Sequence, residues 1–108
     1  MATFELTEYA EGPVAYGNAS NHPALPFLKH TVVTSGPGNE VTLQPATRFI
    51  RLAGASADVR FKLGRAAADV TGGNAPTATN SPVIKSTDPA ATFAVPKAGS
   101  TGWVLGTV

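Results

Sequence analysis

The chain has 108 residues, enough for one domain with a modest core, and carries Lys+Arg 8 against Asp+Glu 7, a net charge of +1. It contains no cysteine, which excludes disulfides, thiolate nucleophiles and cysteine-based zinc sites. Charged residues are only 14% of the chain, against roughly 25% in typical proteins. Its surface must therefore be covered largely by Ala, Thr, Ser, Gly and Asn, which suits a protein packed against neighbours and also an ordinary secreted domain. Gly 11 and Pro 9, combined with a 43% hydrophobic share, fit short strands joined by many turns better than disorder.

The opening residues Met1 to Leu6 lack a basic stretch followed by an apolar run, so no secretory signal is expected there. No segment approaches the roughly 18 apolar residues of a membrane span. The expectation is a chain made in the cytoplasm that leaves it only inside something larger. Residues 4–9 mix apolar and polar positions and could be a strand. Glu5, Glu8 and Glu11 make this start acidic, with no Lys or Arg before Lys29.

From residue 10 to 26 the chain holds Pro13, Pro23 and Pro26 among repeated turn formers. Proline lacks an N–H and fixes φ, so this stretch cannot pair continuously in a sheet. Residues 1–26 read as an extended arm, and 27–108 as a β body within a single domain. A long irregular connection of this kind is often functional. It either straps its own core or reaches a neighbouring subunit.

Residues 27–34 are rich in β-branched and apolar types and predict a strand. Residues 35–39 read as a turn, and 40–44 resume alternation through Val41 and Leu43. From Asp58 to Leu63 the alternation is strict, with Val59, Phe61 and Leu63 on one side and Asp58, Arg60 and Lys62 on the other. That period of two predicts a strand with one buried and one wet face. The break at Gly54-Ala55-Ser56 predicts a hairpin to the preceding strand, 48–52. Residues 65–70 could form a helical turn, stopped by Gly72-Gly73. Strands are expected again at 83–86, 92–95 and 103–108. Six to eight short strands at this spacing predict an all-β fold, a small β-sandwich or jelly-roll-like barrel with an extended N-terminal arm.

No constellation for catalysis emerges. His22 and His30 are the only histidines and match no zinc-ligand spacing. Asp58, Asp69 and Asp88 sit at turns, where carboxylates bond backbone amides, and turn duty is the better reading than a hydrolase pair. No phosphate cradle or Gly-x-Ser-x-Gly elbow is present. The expectation is therefore no enzyme, no cofactor and no metal.

Arg48, Arg51, Arg60, Lys62 and Arg65 cluster in the middle of the chain. Arg60 and Lys62 project from one strand face, and Arg51 would join them across the expected hairpin. Single-strand nucleic-acid binders add exposed aromatics to such charge. Phe49 and Phe61 are expected inward, so a solvated face or a charged protein contact is the better reading. Trp103, with Tyr9 and Tyr16, offers a carbohydrate-binding alternative.

Four segments carry a resemblance. They are Thr47-Arg48-Phe49-Ile50-Arg51-Leu52, Val59-Arg60-Phe61-Lys62-Leu63-Gly64, Pro76-Thr77-Ala78-Thr79 and Phe93-Ala94-Val95-Pro96-Lys97. In this order they resemble small β-sandwich structural proteins from the virion-assembly modules of tailed bacteriophages. The likeness covers a little over half the chain, and the chain departs from it by inserting residues 65–73. The resemblance implies a non-catalytic capsid decoration or cement protein on the capsid surface of a virion. It also implies the major capsid protein as partner and a homo-oligomer, with a trimer favoured. No nucleic-acid or membrane contact is expected. Contacts are then expected from Phe4, Tyr9, Tyr16, Leu25 and Phe27 in and beside the arm, and from Arg51, Arg60 and Lys62 on charged strand faces. A tail, connector or receptor-binding component is the alternative within the same class.

Overall fold

A computed structural model of the chain describes residues 2–10 and 27–108. The fold is all-β. Its strands are β1 (Thr3–Tyr9), β2 (Lys29–Thr34), β3 (Gly36–Thr42), β4 (Phe49–Ala53), β5 (Val59–Gly64), β6 (Val83–Ile84), β7 (Ala91–Ala94) and β8 (Val104–Thr107). They form two antiparallel four-stranded sheets, β2-β1-β4-β7 and β3-β8-β5-β6. The inner faces meet in one apolar cluster that joins Phe4, Leu6, Val33, Ile50 and Leu52 to Leu43, Val59, Phe61, Ile84 and Leu105. The Phe61 and Phe93 rings contact across it at 5.0 Å. This is a small β-sandwich, as the alternation predicts.

The first part of the expected arm is not an arm. Thr3–Tyr9 is an interior strand, paired to β2 on one side and β4 on the other. Phe4 and Leu6 alternate inward with outward Thr3 and Glu5, and removing them would open the core. Residues 11–26, the remainder of the expected arm, lie outside the described residues.

The expected hairpin is also replaced. β4 pairs with β1 and β7, whereas β5 pairs with β6 and β8, so residues 54–58 cross from one sheet to the other. Gly54 (φ 64°) turns the chain out of β4, and the Ser56 hydroxyl accepts from the Thr3 N–H at 2.9 Å. The expected turn at 35–39 is instead the first part of β3, which carries a register break between Gly36 and Glu40. Ser35 is thus the point where the chain leaves one sheet for the other.

Two short 3-10 turns, Ala67–Asp69 and Gly72–Asn74, follow β5. They hold Val70, fully buried, against the outer face of the second sheet. A Cβ built on Gly106 would lie 2.5 Å from the Val70 Cβ, so glycine is what lets this segment sit so close.

Candidate functional site

On the first sheet, Glu5, Thr7 and His30 form a linked group. The register sets Thr7 opposite His30, and both carry side chains on the outer side of the sheet, away from Phe4 and Leu6. The Thr7 hydroxyl and His30 Nδ1 share a hydrogen bond of 2.8 Å, and Glu5 Oε1 lies 3.3 Å from His30 Nε2. The Phe27 ring meets the imidazole edge-on at 6.4 Å between centroids. The group resembles a hydroxyl–imidazole–carboxylate chain, but Thr7, the hydroxyl that would act as nucleophile, is buried. Its evident work is to tie β2 to β1.

Glu8 is the polar residue that sequence reading missed. It lies fully buried on the inner face, with Oε1 accepting from the Gln44 N–H (2.6 Å) and the Thr47 hydroxyl (2.7 Å), while Oε2 has no partner. The signal was present, because Glu8 shares the parity of Phe4 and Leu6. Read as part of an acidic start, it is instead the post to which the turn between β3 and β4 is fastened.

The three turn aspartates hold backbone amides. Asp69 Oδ2 accepts from Arg65 and Ala66 N–H at 3.2 and 3.1 Å, Asp88 Oδ2 from Lys85 at 2.9 Å, and Asp58 Oδ1 from Ser86 at 3.0 Å. The last joins the crossing segment to the end of β6. His22 lies outside the described residues. Among the described residues, no three His, Asp or Glu side chains gather as a metal site.

The charged strand residues do not form one stripe. Arg51 alternates with buried Ile50 and Leu52 and so faces outward from the first sheet, whereas Arg60 and Lys62 face outward from the second. The cause is the sheet-to-sheet crossing, which replaces the hairpin that would have aligned them. All three are half-buried, and Arg60 Nη1 is already committed to Ser81 O at 2.8 Å.

The arm candidates divide likewise. Phe4 and Tyr9 are buried and unavailable to a partner, and Tyr16 and Leu25 lie outside the described residues. Phe27 is 58% exposed, next to Leu28 at 43%. Trp103 is half-buried, with its Nε1–H given to Pro96 O (2.9 Å) and the Arg65 guanidinium 4.4 Å above its ring. Arg65 is held there by Ala98 O at 2.9 Å. The stacking face a sugar would use is thus taken by a cation, and Tyr9 is inside the protein.

An open cleft of about 310 Å³ lies between the edges of β2 and β3, walled by residues 31–34 and 38–41. Among the described residues Glu40 is the one ionisable side chain lining it, so they assemble no acid–base pair there. Comparison with protein-family models, with curated proteins and with solved structures found no match.

Proposed function

We propose that this chain is a non-enzymatic virion structural protein, a capsid decoration or cement protein that binds the lattice of a major capsid protein. The observation that carries the reading is the apolar pair Phe27 and Leu28, exposed where residues 11–26 rejoin the β body. Large apolar side chains at such a junction suit docking on another protein. The low charge of the chain and the structural employment of its aspartates support the same class. Cement action needs no chemistry. Many copies, each with a modest contact, strengthen a shell through avidity.

The test is the copy number on purified particles, by quantitative mass spectrometry against the major capsid protein. A near-stoichiometric ratio supports decoration. A dozen copies or fewer would move the chain to the tail or connector, and absence would end the virion reading. Because β1 is interior, the contact test must spare it. Changing Phe27 and Leu28 to Ser, alone and together with Tyr16→Ser and Leu25→Ser, is expected to empty the particle sites while the circular dichroism of the body is retained. Full occupancy by the quadruple variant would overturn the arm contact.

A further inference from the structure

Among the described residues the sandwich has four edge strands, and three of them are defended. β6 has two residues and β7 four, too short to template much pairing. β3 contains Pro37 and a register break. β2 has neither device, and only Thr34 O at its last position is capped, by the Asn39 amide at 2.9 Å. Its one permanent charge, Lys29, stands at its first position, and the rest reads His-Thr-Val-Val-Thr. Natural edges of this length and β propensity are normally blunted, because an open ladder recruits another strand.

The direction of that ladder is fixed. The Ser35 N–H donates to Ala2 O at 2.8 Å, and the pairing runs on without a break through Thr34↔Thr3, Val33↔Phe4, Val32↔Glu5 and Leu6↔Thr31. Hydrogen-bonded pairs alternate along an antiparallel ladder, so Val33 and Thr31 spend their backbone groups on β1. His30 and Val32 point theirs to the edge that no described strand covers. Val32 also shows the most exposed large apolar side chain among the described residues, at 68%.

We propose that the β2 edge pairs antiparallel with β2 of a second copy of this chain, about a two-fold axis at Thr31. In that register His30 and Val32 of each copy exchange backbone hydrogen bonds, and Val32 is covered by the neighbouring strand. It avoids Thr34 O, which Asn39 already occupies. Thr31 meets Thr31 in a non-hydrogen-bonded pair, the type in which side chains lie closest. Its hydroxyl is sealed without a partner in the single chain although the residue is only half-buried, and a turn about χ1 offers it to its twin. The charges also agree. No like charges are opposed, and Lys29 of the second copy falls opposite Val33, at the cleft that Glu40 lines. The assembly unit is then two-fold, in place of the three-fold one that the family resemblance implies, and it stands whether or not the virion reading does.

The experiment is sedimentation equilibrium of the full chain over a hundredfold concentration range, with cross-linking. The expected result is a mass rising toward twice that of the chain. Val32→Pro removes an outward N–H without touching the β1 ladder and should raise the dissociation constant at least about tenfold. Because the chain has no cysteine, Thr31→Cys supplies a single thiol that should oxidise to a disulfide-linked dimer, while Thr42→Cys on the β3 edge should not. A chain that stays monomeric throughout, a dimer indifferent to Val32→Pro, or equal cross-linking at both positions would each overturn the proposal.

Discussion

In the first sheet a polar side chain is taken inside, whereas in the second an apolar one is brought outside. Glu8 sits among Phe4, Leu6 and Ile50 on the inner face, and there it accepts from Gln44 and Thr47. Val70 belongs to no strand, yet it is fully buried against the outer face of the second sheet, where Gly64 and Gly106 leave room for it. The first sheet therefore depends on a hydrogen-bonded post within the core. The second depends on shape, with both faces packed. The lesson is that alternation describes these strands only where no third layer or internal post intervenes.

The sharpest way to break this contrast is Glu8→Ala. It leaves the buried Thr47 hydroxyl and the part-buried Gln44 N–H without their acceptor, and a loss of about 3 kcal/mol is expected. Glu8→Gln keeps one oxygen for both donors and should stay within about 1 kcal/mol of the parent. Urea denaturation of the pair distinguishes a post from a filler. Equal losses would mean that only the volume of the side chain matters.

For the second sheet the corresponding change is Gly106→Ala. The added methyl would fall 2.5 Å from the Val70 Cβ and 2.7 Å from its backbone oxygen, and backbone cannot simply swing aside. Overpacking of this kind costs about 2 kcal/mol, and Val70→Gly in the same chain, which removes that Cβ, should recover part of it. Losses that simply add in the double variant would show that Val70 does not rest on this strand.

These residues also mark how far the sequence could be read. The eight strands among the described residues lie at or near positions where alternation or β-branched runs predict them, because period two is a local property. Pairing is not local. Residues 54–58 would serve a hairpin as well as a crossing, and nothing in Arg51 or Arg60 states that their strands part company. Residues 35–39 carry Gly and Pro and so suggest a turn, yet an edge strand with a register break tolerates them. Val70 looks like part of a loose Ala-rich insertion, because the glycines that receive it stand in other strands. Of the expected contact residues among those described, only Phe27 is exposed in the way a docking side chain requires, since β1 becomes interior once β2 and β4 flank it.

The smallest expected effect tests what holds the covering segment in place. Asp69 is exposed, but its Oδ2 gathers the Arg65 and Ala66 amides and so closes the turn that delivers Val70. Asp69→Ala should cost about 1 kcal/mol, the scale of a lost cap, with the core strands unaffected. Amide hydrogen exchange gives the finer reading. Protection should fall at Asp69 and Val70, whose N–H groups bond Ala66 O and Ala67 O, and persist at Arg60 and Val108, which bond each other. If protection fell equally in both places, the segment would be part of the sandwich's cooperative unit. A local loss instead makes it a lid laid on a finished sheet, consistent with an insertion that the body can carry without being built on it.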